Sequence, residues 1–168
     1  HSGWLSDDGK VYAFADETIG ASVKVCDVSD WTDIQITSLI KPPTFDSTMA
    51  HNLMIKGNLL YISYYYDGLQ VYDISDIYNP VRVAYYDTYQ GTDSTVFEGA
   101  WGVHCFLPSG RILVSDRHNG LFLLKLDPSV PTSIENLEIE THIDHFNFIF
   151  EDDDLRNIKI YSLNGDIV

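Results

Sequence analysis

The sequence predicts an all-β fold of about three four-stranded, propeller-like blades followed by a small C-terminal β element. Three observations predict it. Aromatic residues make up 13% of the chain, with 11 Tyr and 8 Phe, and together with the many β-branched residues they suit pleated, half-buried surfaces better than helices. Three segments are self-similar: residues 1–30, 51–76 and 100–127 each hold a short run, a turn, a strand, a second turn and another strand ending in Asp. The anchors Val25-Cys26-Asp27-Val28-Ser29-Asp30, Tyr72-Asp73-Ile74-Ser75-Asp76 and Lys125-Leu126-Asp127 recur about fifty residues apart, the length of one blade.

The middle unit is the cleanest. Strands are expected near Leu53–Lys56, Leu59–Tyr64, Leu69–Ile74 and Val81–Asp87, joined by Gly57-Asn58, Asp67-Gly68 and Asn79-Pro80. Gly and Asn tolerate positive φ and Pro fixes φ after Asn, so these dipeptides turn the chain into a four-stranded meander. The first unit turns at Asp8-Gly9 and Ile19-Gly20, the third at Ser109-Gly110 and Asn119-Gly120. No longer stretch shows helical periodicity.

Repeats therefore span residues 1–127, divided near 1–48, 49–98 and 99–127. A linker is expected over 128–136, where Pro128-Ser129-Val130-Pro131-Thr132-Ser133 breaks the pattern, and a C-terminal β element over 137–168, which holds the Asn164-Gly165 hairpin signal. Three blades do not close a ring that typically needs four to eight. The missing blades are expected from a longer chain, from rearranged sheets, or from assembly of several chains. A start at His1, without Met or a signal-peptide pattern, reads as a mature or truncated product.

Charge narrows the partners. Acidic residues outnumber basic ones 25 to 10, giving a net charge of −15, which repels nucleic-acid phosphates and anionic lipid headgroups. The same acidity is compatible with an ordinary solvated surface or with oxygen ligands for a divalent cation such as calcium. No apolar run is long enough for a transmembrane helix. Cys26 and Cys105 form neither a CxxC motif nor a disulfide framework.

These repeats, and in particular HNLMIKGNLLYISYYYDGLQVYDISD and GAWGVHCFLPSGRILVSDRHNGLFLLKLD, resemble the final repeats of the LVIVD-repeat (choice-of-anchor B) family, in which a histidine opens a repeat and a Gly-Leu-apolar-apolar-Asp strand ends it. The resemblance covers about residues 1–127 and implies an extracellular or surface-attached propeller, with C-terminal anchors that differ between members. The tail NIKIYSLNGDIV is similar to the closing strands of type IX secretion sorting domains.

Candidate site residues follow from the expected fold. The first strand of each blade lies nearest the axis, so His1, His51 and the Trp101–His104 segment converge there. A ligand site is expected at His51, Asn52, Trp101 and His104, and a metal set at Asp16, Glu17, His51 and Asp116, the acids coming from the ends of second strands. The plainer reading has His51 and Asn52 satisfying backbone groups at a strand start. Asp16 and Glu17 would point to opposite faces of a strand, which argues against an acid/base pair; Ser63 and Ser115 lack a GxSxG elbow, and Cys105 beside His104 lacks an orienting third group. The tyrosines Tyr64-Tyr65-Tyr66 and Tyr85-Tyr86 suit cross-strand packing or stacking on sugars or a protein. His142, His145 and Glu151–Asp154 match neither zinc spacing nor an EF-hand loop.

The expected function is an exported or cell-surface module that binds a protein or carbohydrate. The alternatives are a metal-dependent hydrolase or lyase with its site at the channel mouth, and a purely architectural spacer.

Overall fold

The computed structural model describes residues 2–44, 46–91 and 97–126 and the strand at 137–143. Every regular element among them is a strand. The first sheet is β1 (Ser2–Leu5), β2 (Val11–Ala15), β3 (Val23–Asp27) and β4 (Gln35–Ile40); the second is β5 (Ala50–Lys56), β6 (Leu59–Tyr64), β7 (Gly68–Asp73) and β8 (Val81–Tyr86). The third is β9 (Ala100–His104), β10 (Ile112–Asp116), β11 (Gly120–Leu126) and β12 (Leu137–Ile143). Each sheet is an antiparallel meander in chain order, as expected of a blade, and the three remain separate sheets.

The expected turn glycines Gly9, Gly20, Gly57, Gly68, Gly110 and Gly120 all take positive φ. At Gly68 the requirement is twofold, because a Cβ there would also collide with the Tyr86 carbonyl across the sheet. The repeat extends to its irregularities. Register shifts between third and fourth strands fall at Val25/Cys26, Val71/Tyr72 and Leu123/Leu124, which are equivalent positions in the three units.

Two boundaries differ from expectation. Strand β5 starts at Ala50 rather than Leu53, since His51 and Asn52, whose polar side chains leave no apolar signal, lie within it. Strand β12, from the stretch expected to open the C-terminal element, pairs with β11 from Leu126↔Leu137 to Leu121↔Ile143 and supplies the third blade's fourth strand. The connection before it, 127–136, is longer than the corresponding 28–34 and 74–80 and carries two prolines, so it reads as a boundary between domains. The hairpin expected at Asn164-Gly165, and His142, His145 and Glu151–Asp154 as side chains, lie outside the described residues.

Burial follows the stacking of the blades. Ala13, Ala15, Val23 and Val25 of the first sheet meet Leu53, Ile55, Leu60, Ile62 and Tyr64 of the second. The other face of the second sheet places Tyr61, Leu69 and Val71 against Val103, Ile112, Val114, Phe122 and Leu124. Strand β6 is thus covered on both faces and reads as a nearly unbroken apolar run, whereas β2 alternates between buried and exposed positions.

The innermost strands lie side by side, β1 against β5 and β5 against β9. Asn52 ties them: its Nδ2 donates to Ser2 Oγ at 3.2 Å and its Oδ1 accepts Val103 N–H at 3.1 Å. The Asp that ends the third strand in each of the first two blades has a local task. Asp27 accepts Ser29 N–H at 2.9 Å and Asp73 accepts Ser75 N–H at 2.8 Å; one turn on, Asp30 takes Thr32 N–H and Asp76 takes Tyr78 N–H. The hydrogen bonds from Ser29, Thr32 and Asn79 hold the carboxyls of Asp27, Asp30 and Asp76, respectively, below the ordinary range. Part of the acidity is therefore turn chemistry.

Candidate functional site

In each blade the first strand runs antiparallel to the second, so the start of one lies beside the end of the other. The pairs Ser2↔Ala15, Ala50↔Tyr64 and Ala100↔Asp116 set this in the three sheets. Because the inner strands are neighbours, one end of them collects Glu17 just past β2, His51 in β5, Tyr65 just past β6 and Trp101 in β9.

His51 is the hub. Its Nδ1 lies 2.5 Å from the Trp101 carbonyl, which only accepts, so Nδ1 carries the proton and donates. Nε2 then faces the Glu17 carboxylate, 4.0 Å from Oε1. The imidazole stacks on the Trp101 indole at 4.8 Å between centroids and meets the edge of Tyr65 at 5.6 Å. The Tyr65 ring in turn meets Phe97 edge-on at 5.5 Å.

Tyr65 is only 1% exposed, and its hydroxyl donates to Glu17 Oε1 at 2.5 Å. Burial first, then the hydrogen bond and charge of Glu17, push this phenol well above its usual range, against the opposing pull of Arg117 and Trp101. It serves as a donor that orients Glu17, and base chemistry at neutral pH is closed to it. Trp101 and Phe97 are 48% and 49% exposed, so two large rings reach the surface here, Trp101 stacked on the imidazole and Phe97 against the Tyr65 ring.

The remaining candidates fall elsewhere. His104, expected beside His51, pairs with Leu113 at the far end of β9 and its ring lies 6.1 Å from Phe106. Three residue steps along a strand separate it from Trp101 by about 10 Å. Asn52 spends both ends of its amide on the neighbouring inner strands, which is the backbone-satisfying role. Asp16 is held at 2.5 Å by Lys24. Asp116 accepts Thr88 Oγ–H at 2.6 Å and the N–H groups of His118 and Asn119 at 2.7 Å, capping its own hairpin. Of the proposed metal set, Glu17 and His51 are thus the two that meet, and among the described residues no three His, Cys, Asp or Glu side chains gather as a metal would require. His1 lies outside the described residues.

The nucleophile candidates are built into the fold. Ser63 Oγ accepts Asn52 N–H at 3.2 Å and has its single proton within reach of the backbone carbonyls of Trp101 and Asn52, at 3.0 and 3.2 Å. Cys105 is buried, and burial pushes its thiol up to about 11, far from a reactive thiolate.

Phe97 was not evident as a site residue, and Tyr65 was read only within the Tyr64-Tyr65-Tyr66 run, as packing or stacking. Repeat alignment holds a signal for Tyr65: it and Arg117 each follow the last second-strand residue paired with a first strand, and Glu17 lies two residues past the corresponding Ala15. Phe97 precedes β9 in the connection 87–99, which is longer than the corresponding 41–49 between the first two blades. Neither family models nor curated proteins match the chain.

Proposed function

We propose that the chain is part of an exported or cell-surface propeller of the LVIVD-repeat kind, and that the inner-strand end around His51 is its binding surface. One observation carries this reading: three blades contribute Glu17, His51, Tyr65 and Trp101 to a single contiguous cluster at which the rings of Trp101 and the adjoining Phe97 are half exposed. Exposed aromatic anchors beside fixed polar groups are the composition of a protein-binding hot spot. Further blades are part of the proposal. The sheet-1 face turned away from sheet 2 presents Leu5 and Tyr12, which pair directly and are 40% and 37% exposed, at positions that the middle blade buries.

Panning a random dodecapeptide library against the immobilised chain tests the surface. Peptides that enrich on the protein are expected to lose about tenfold or more in affinity on Trp101→Ala, an exposed position whose replacement leaves the core intact. Enriched peptides that bind Trp101→Ala and His51→Ala as well as the parent protein would contradict it. The hydrolase or lyase reading has two donors here, Glu17 and His51, where an open catalytic zinc site uses three. It would be favoured by native mass spectrometry showing one zinc ion per chain that is lost on chelation and in His51→Ala.

A further inference from the structure

A second recess lies away from the inner-strand end, between blades two and three. Its volume is 440 Å³, within the usual range for small-ligand sites, and its walls include Tyr86 at the end of β8, Thr88, Tyr89 and Gln90 after it, and His118 and Asn119 in the β10–β11 hairpin. The two walls are fastened together. Asp116, 7% exposed, accepts the Thr88 hydroxyl and two hairpin N–H groups, while Asn119 Nδ2 donates to the Thr88 carbonyl at 2.6 Å. Tyr89 is also fixed: its hydroxyl donates to Glu98 at 2.6 Å and its ring meets Tyr66 and His118 edge-on, each at 5.3 Å. A recess whose walls are cross-linked across two blades is preorganised.

We infer that this recess binds a neutral sugar. Its chemistry excludes the main competitors. Anions meet Asp87, Glu98 and Asp116 around the walls and a chain charge of −15. Those three carboxylates already accept hydrogen bonds from Tyr89 N–H, Tyr89 O–H and Thr88 O–H, so the geometry is that of a scaffold and not of a cation site. A wholly apolar ligand would cover the exposed Gln90 amide and strip it of water, whereas the Thr88 hydroxyl and Asn119 Nδ2 are already paired within the walls. A sugar ring offers both halves of the complement: C–H faces for Tyr86, Tyr89 and His118, and hydroxyls for the Gln90 amide and the Asn119 amide oxygen.

Saturation-transfer NMR with glucose, galactose, mannose, xylose, N-acetylglucosamine and cellobiose, each in excess over the whole chain, tests the inference. At least one sugar is expected to receive saturation at its ring protons. Gln90→Ala and His118→Ala, both at exposed positions, should weaken that binding about tenfold, with Trp101→Ala leaving it unchanged. No transfer to any of the six sugars would overturn the inference. So would transfer that survives both recess variants and disappears in Trp101→Ala, which would move the sugar to the inner-strand end and leave the proposed binding surface there standing.

Discussion

Tyr64→Ala is expected to destabilise the chain by about 3–5 kcal/mol, one of the two largest effects of any single replacement considered. Tyr64 ends β6, is fully buried, and joins the cluster that holds sheets 1 and 2 together. Truncation removes a ring from that seam and opens a cavity among Ala13, Val23 and Ile62, neighbours too short to refill it. Its hydroxyl donates to the Ile40 carbonyl at 3.0 Å, tying the last residue of the first blade to the second. Tyr64→Phe keeps the ring and drops that bond, so about 1–3 kcal/mol is expected from the unsatisfied carbonyl. Equilibrium denaturation with urea should rank the proteins parent, Phe, Ala in falling stability. Equal stabilities for parent and Ala would remove Tyr64 from the seam.

Gly99→Ala is the second. Gly99 takes φ 93°, and a Cβ there would sit far inside contact distance of the Tyr65 carbonyl. That carbonyl has nowhere to move, because it accepts Ala100 N–H at 2.8 Å and Gly68 N–H at 3.4 Å, and the Gly99 carbonyl accepts Arg117 N–H at 2.9 Å. Relief requires separating the end of β6 from the start of β9. A loss of about 3 kcal/mol or more is expected, with a change in Trp101 emission as its stack on His51 opens. Gly57→Ala is the control: φ is 57° there, but the added carbon meets nothing within 4 Å, so only the backbone term of about 1–2 kcal/mol applies. Similar losses at Gly57 and Gly99 would mean that the two blades do not press together at Tyr65.

The blade was legible because its punctuation is local. Turn glycines and Asp-ended strands are properties of a few consecutive residues, and the structure uses the glycines in all three blades and the Asp in the first two as the repeat implies. The inner strands were harder to delimit. His51 and Asn52 are polar because one faces a cluster and the other bridges neighbouring strands, so the hydrophobic pattern stops before the strand does. Strand β12 was hidden by the prolines that precede it. At the site, the repeat brought Glu17, His51 and Trp101 to one end, but strand polarity carries His104 to the other, a point that grouping the Trp101–His104 segment as one opening overlooked. Tyr65 stood in a run of three tyrosines that suited packing or stacking alike, and nothing local separates it from the buried Tyr64 and Tyr66.

The most direct test of the convergence of three blades on His51 is a nuclear Overhauser spectrum of the chain with labelled His, Tyr and Trp. Cross-peaks are expected from the His51 imidazole protons to the Trp101 indole, stacked at 4.8 Å, and to the Tyr65 ring at 5.6 Å, with the first set lost in Trp101→Ala. Intact Tyr64 contacts to the core, with neither set of His51 cross-peaks, would show that the blades fold without forming the cluster and would contradict the account.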